Sequence, residues 1–286
     1  MSKRVAEYGM FVALSFLFAY IETWIPFSLG IPGAKLGLAN LVTLTALYVM
    51  GTRAALLISL GRIVLTGFTF GNLSMMLYSL AGGVLSFVVM AVSKRRLGLS
   101  KMGVSVSGGV AHNLGQLLMA VAVVQNRHVL YYFPFLLLWG SGAGAFIGIL
   151  GGMILRRLPK KQEEIREKKR LRWGDRVLLG ACVVVSLVAF LLGSFSGKGD
   201  AKEAVVYIGN EEYARYDLEE SFETDIPGLQ GGSNHLVIGQ GRAQVTQATC
   251  PDHVCVGQGE ISEIGQAIVC MPHQVIIAVE TAKNRE

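Results

Sequence analysis

The sequence predicts an α-helical integral membrane bundle of six spans, followed by a seventh span and a small extracytoplasmic all-β domain. Hydrophobic residues make up 52% of the 286 and charged ones only 16%, with 35 glycines and a mean hydropathy of +0.48, which is too apolar for an ordinary soluble domain. No Asp or Glu occurs between Glu22 and Glu163. Residues 195–286, by contrast, hold 14 acidic against 6 basic side chains, arranged as short β-branched runs between turn residues. These features exclude a single soluble enzyme. The formal charge of +6 combines a basic first part with an acidic tail, so it points to no nucleic-acid partner.

A bilayer-crossing helix needs about 20 mostly apolar residues. Windows at about 8–25, 36–50, 54–70, 72–93, 103–125 and 130–155 fit, with a seventh at about 177–194. The second is short and glycines interrupt several, so a re-entrant segment stays open among them. Basic loop residues set the orientation. With Lys3 and Arg4 inside, the inner loops gather Arg53, then Lys94, Arg95, Arg96 and Lys101, then ten more Lys and Arg from Arg156 to Arg176, against Lys35 and Arg127 outside. The chain is therefore expected to be a multi-pass protein of the cytoplasmic membrane, with the lipid bilayer as a partner and its C-terminal domain extracytoplasmic. Glu22, Trp24 and Pro26 follow the first apolar run instead of a small-residue cleavage site, so that span is expected to be retained. The expected parts are a six-helix domain at 1–158, a basic cytoplasmic linker at 159–176, the seventh helix at 177–194 and the outer domain at 195–286.

Polar side chains inside a bilayer are costly and mark a function or a buried pair. Arg62 falls midway along the third span. On the fifth, His112 and Gln116 lie four residues apart and share a face, with Asn113 beside them. One reading is a mid-depth cavity for a ligand with anionic or carbonyl oxygens, to which Arg donates bidentately; the other is an interhelical hydrogen-bond network. Glu22 reads as an interfacial residue. Glycines such as Gly82, Gly83, Gly108, Gly109, Gly142, Gly144, Gly148, Gly151 and Gly152 suit close helix approach.

The run Pro32-Gly33-Ala34-Lys35-Leu36-Gly37-Leu38-Ala39-Asn40, then Gly61-Arg62, Ser79-Leu80-Ala81-Gly82-Gly83 and Ala111-His112-Asn113-Leu114-Gly115-Gln116, resembles the Gx transporter family over about residues 5–158. That family also carries the label heptaprenyl diphosphate synthase component I and is similar to the six-helix S components of energy-coupling-factor vitamin transporters. The resemblance implies an S-component-like bundle with Arg62, His112, Asn113, Gln116 and Asn40 as ligand-binding candidates. Prenyl elongation enzymes hold magnesium diphosphate on aspartate-rich motifs; this segment has no Asp, so that reaction here would need a partner chain.

In the outer part, Ala204–Ile208 and Glu212–Tyr216 flank Gly209-Asn210 as a hairpin, and His235–Ile238, Ala243–Thr246, Ala267–Cys270 and Val275–Val279 read as further strands. Three of the four cysteines lie here, as Cys250-Pro-Asp-His253-Val-Cys255 and Cys270-Met-Pro-His273; Cys182 sits in the seventh span. Three readings compete. The first is a structural Cys250–Cys255 disulfide with an inert Cys270. The second is a metal or iron–sulfur site that adds His253 or His273, whose spacing fits neither a zinc ribbon nor a Rieske domain. The third is a redox-active set of Cys250, Cys255 and Cys270.

Cys250-Pro251-Asp252, Cys255, Gly259, Ile261, Gly265-Gln266, Ile268-Val269-Cys270 and Pro272 resemble the NusG domain II family over about residues 203–281. A Gx-transporter-like bundle joined to such a domain resembles the paired membrane components of flavin-based extracellular electron transfer. The resemblance implies passage of electrons from membrane quinol towards extracytoplasmic flavin acceptors, a non-covalent flavin or quinone in the bundle, and flavinylated extracytoplasmic proteins as partners. The alternatives are an S-component-like subunit that captures a small molecule for an energy-coupling module, and a non-catalytic anchor for a redox or prenyl-lipid enzyme. No enzymatic reaction is assigned.

Overall fold

The computed structural model describes residues 2–24, 37–71, 73–124, 127–158, 173–195, 202–229, 231–251 and 253–282. Residues 159–172 of the expected linker, the run Pro32 to Leu36 and Asp252 lie outside the described residues. Among the described residues seven helices come first: α1 (Ser2–Trp24), α2 (Leu38–Val49), α3 (Thr52–Thr69), α4 (Leu73–Arg95), α5 (Lys101–Val124), α6 (Phe133–Arg157) and α7 (Trp173–Phe195). A 3₁₀ turn, Arg127–Tyr132, joins α5 to α6.

Among the described residues, α1, α3, α4, α5 and α6 contain stretches long and apolar enough to cross a membrane. At 12 residues, α2 is only about 18 Å long, well short of a hydrocarbon core about 30 Å thick. The second expected span is therefore a short helix. Large apolar side chains such as Val5, Leu57, Phe68, Val88 and Phe146 are exposed on these helices. Outward-facing apolar residues on helices that also bury apolar ones are what a lipid surround favours, and the long apolar helices of the N-terminal region suit a membrane.

The chain forms two compact units. One holds α1 to α4, α5 as far as Gln116, α6 from Phe135 and α7 as far as Val184. Within it α1 packs on α2 and α3, and α3 on α2 and α4, around Leu41, Leu44, Leu47, Ala55 and Ile58. Glycines bring α5 against α4 and α6: a Cβ on Gly115 would stand 2.7 Å from the Ala81 carbonyl oxygen, and one on Gly144 2.7 Å from Val106 Cα. The start of α7 packs by a different device. Asp175 is fully buried and its Oδ1 accepts from the Ser100 amide (3.1 Å) at the N-terminus of α5, where a carboxylate meets the positive end of the helix dipole.

The other unit contains the β-domain, residues 117–134 and α7 from Val185. Two antiparallel sheets, in the orders β2-β1-β7-β6 and β3-β4-β5, are built from β1 (Lys202–Ile208), β2 (Glu211–Asp217), β3 (Phe222–Pro227), β4 (Ser233–Gly239), β5 (Arg242–Ala248), β6 (Ala267–Cys270) and β7 (Val275–Thr281). Six of these match the sequence expectation, including the hairpin at Gly209, whose φ of 61° suits a residue without Cβ. The seventh, β3, is an addition: it is an edge strand in which only Ile226 is buried, so its sequence lacks an apolar alternation. Ala204, Val206, Ile226, Leu236, Ile238, Val245, Ile268 and Ile277 interdigitate between the sheets with the three outer cysteines.

Candidate functional site

Helix ends converge on a cavity of about 100 Å³ in the membrane unit. The C-terminal turns of α1 and α3, the N-terminal halves of α2 and α4 and the middle of α5 line it, supplying Glu22, Arg62, Asn40, Ser79, His112 and Gln116. One water occupies about 10–15 Å³ by the same measure, so the space suits several waters or one ring-sized headgroup. The Nε and Nη2 atoms of Arg62 and Oε1 of Gln116 are buried with no hydrogen-bond partner among the described residues. Two guanidinium donors and an amide acceptor thus converge on one polar space. Gly82 allows this arrangement, because a Cβ there would lie 2.8 Å from Gln116 Cγ and from the His112 carbonyl.

Four sequence candidates, Asn40, Arg62, His112 and Gln116, are brought together; Asn113 is not. Its Nδ2 donates to the Leu136 carbonyl on α6 (2.8 Å), because one step along α5 from His112 turns a side chain about 100° to a different neighbour. Along the helices the cavity reaches from Arg62, mid-way along α3, to Gly71 just beyond the end of that helix. Glu22, which the sequence reads as an interfacial residue, also lines the cavity, and its Oε1 accepts from the Gly37 amide just before α2. A lone acid in an acid-free stretch that contains a buried Arg was the available signal.

In the β-domain, Cys250 (0% exposed), Cys255 (1%) and Cys270 (2%) place their sulfurs within 4.8 Å of one another. All are thiols, with Cys250 Sγ 3.5 Å from Cys255 Sγ. Asn234 donates through Nδ2 to Cys255 Sγ (3.3 Å), and its Oδ1 accepts from His273 Nδ1 (2.6 Å). The ring's Nε2 lies 3.4 Å from Thr249 Oγ1. A hydrogen bond from Cys255 holds the Cys270 thiol below its ordinary pKa against the opposing effect of burial, with help from Asn234 and the His273 amide. The Cys255 thiol, as the donor in that bond and itself buried, is pushed up. The trio therefore has one thiolate-leaning sulfur beside one proton-bearing sulfur, a starting arrangement for thiol–disulfide exchange.

Neither histidine joins the sulfurs. His273 is buried but engaged with Asn234 and Thr249, and His253 is exposed at the start of the short helix α8 (Val254–Gly257). Sequence reasoning missed Asn234, although the alternating burial of Asn234, Leu236 and Ile238 along β4 puts it on the core face. It also missed Gln258, whose side chain bonds both the N–H and C=O of Val269 (2.7 Å each) and steadies β6 next to Cys270. The hydroxyl of the partly buried Tyr132 reaches Gln258 Oε1 (2.7 Å) and the Ala267 carbonyl; desolvation pushes its pKa up, so it stays a neutral donor.

The model of the NusG domain II family matches residues 178–283. Among solved structures, the chain is similar to a DUF1312 family protein from Enterococcus faecalis, with 29% identity over 29% of this chain and 99% of that one and a TM-score of 0.27. It is also similar to a DUF1312 family protein from Ruminococcus gnavus, with 37% identity over 28% of this chain and 97% of that one and a TM-score of 0.24. No curated protein compared with the chain matches it. The model of the family described as heptaprenyl diphosphate synthase component I matches residues 11–154, half of the sequence, and the chain belongs to that family.

Proposed function

We propose that this protein is a membrane component of an electron-transfer system, passing electrons from membrane quinol towards extracytoplasmic flavin acceptors. In this reading the bundle cavity holds an oxygen-bearing ring. The observation that supports it is the pair of buried Arg62 donors with no hydrogen-bond partner among the described residues, lining the same cavity of about 100 Å³ as Gln116. A quinone headgroup or the pyrimidine end of a flavin has carbonyl oxygens that could accept from Arg62. The β-domain of the same chain adds a second redox couple: Cys250 and Cys255, with sulfurs 3.5 Å apart, give up two electrons and two protons on closing a disulfide and take them back when it reopens.

The test is an absorption spectrum of detergent-purified protein, with extraction and identification of the chromophore, repeated on Arg62→Ala. Loss of a charge-assisted hydrogen-bond pair is worth about 1.5–3 kcal/mol, so ligand retention should fall about 10- to 100-fold in a variant that still folds. Undiminished retention in folded Arg62→Ala overturns the cavity assignment. A second reading, capture of a small solute for an energy-coupling module, is favoured by the polar lining of the cavity, where Arg62, His112 and Gln116 come together inside an apolar bundle. Solute uptake that depends on such a module, with no redox chromophore bound, would select it.

A further inference from the structure

Three sulfurs meeting at one buried point allow a chemistry besides thiol–disulfide exchange. An ion bound equally to three thiolates at about 2.3 Å, the usual metal–sulfur distance, needs sulfurs about 4 Å apart. Cys250 and Cys255 are separated by 3.5 Å, and all three sulfurs fall within 4.8 Å. The side chains therefore need only small rotations. Every donor is soft, which selects thiophilic ions over those that prefer carboxylate or carbonyl oxygen.

Coordination number decides among thiophilic ions. Zinc takes four ligands in structural sites, and iron–sulfur clusters commonly take four cysteines. Among the described residues no fourth His, Cys, Asp or Glu donor joins the three sulfurs. His273 is turned to Asn234 and Thr249, and the near-complete burial of the trio keeps bulk water from a fourth position. Copper(I) is satisfied by three thiolates.

We propose that the reduced β-domain binds one Cu(I) ion in a trigonal site made by the Sγ atoms of Cys250, Cys255 and Cys270. No electron moves: copper enters and stays as Cu(I), and the protons of the coordinating thiols pass to the buffer. The excess negative charge on sulfur is met by Asn234 Nδ2–H on Cys255 and by the His273 amide beside Cys270, with His273 Nδ1 holding Asn234 in position.

The test uses the full-length protein in detergent, reduced without oxygen and titrated with Cu(I) held by the chromophoric chelator bicinchoninate. One equivalent per chain should be withdrawn from the chelator, with a thiolate-to-copper absorption band and an X-ray absorption shell of three sulfurs. Bound copper should protect all three cysteines from alkylation after brief opening by denaturant. Cys182→Ser should behave as wild type, and Cys270→Ser should lose at least tenfold in affinity. If Cys270→Ser does not fold, the sulfur count and alkylation pattern of the wild type still decide. Failure to withdraw copper, a shell of fewer than three sulfurs, or preferential retention of Zn(II) over Cu(I) overturns the proposal. None of these readouts involves Arg62 or the bundle chromophore, so this site and the cavity can fail separately.

Discussion

Asn234 joins two groups that do not touch, Cys255 Sγ and His273 Nδ1, and it is fully buried. Replacing it with Ala leaves the His273 ring N–H without its acceptor in an apolar core and takes one donor from the Cys255 sulfur. The outer domain should lose about 1–3 kcal/mol, measured by denaturant unfolding under reducing conditions. The same change should alter the ionisation of Cys270. Because hydrogen bonds, Asn234's among them, hold that thiol low, its thiolate should form below the pH of a free cysteine, about 8.5. Thiolate absorbance against pH should therefore show an early step that moves upward in Asn234→Ala and vanishes in Cys270→Ser. An unmoved step would remove Asn234 from the role given to it.

The glycines of the helices differ in what surrounds them, and spacing explains the difference. Gly140, Gly144 and Gly148 recur every four residues along α6 and face α5, with Gly109, Val106 and Met102 respectively against them. Gly142 and Gly152 point elsewhere, and an added Cβ would meet nothing within 4 Å. Gly144→Ala would push a methyl against backbone that cannot yield and should cost about 1–3 kcal/mol. Gly142→Ala should be neutral or slightly stabilising, since Ala is the better helix former. Thermal unfolding of both variants in detergent checks the pair. Equal destabilisation would mean that helix propensity, and not the α5–α6 contact, sets the requirement for glycine.

For the whole molecule, the division of basic residues predicts that the β-domain lies outside and the α4–α5 connection inside. The native outer cysteines are poor reporters because they are almost fully buried. Exposed positions are better: Glu211→Cys in the β-domain should react with a membrane-impermeant maleimide on intact cells, and Leu97→Cys should react only after lysis. The reverse pattern would invert the orientation. Much of the architecture was legible in the chain itself. Long apolar windows specify helices and β-branched runs specify strands, because period and hydropathy act locally; the helical region and six of the seven strands follow from that. Sequence does not contain distance. That Asn113 leaves the cavity for Leu136, that Glu22 enters it, and that Cys270 closes a triangle with Cys250 and Cys255 while both histidines stay out depends on which elements pack together. The physical reason is that helix rotation and sheet pairing place side chains by long-range packing, where a single residue step turns a group towards a different neighbour.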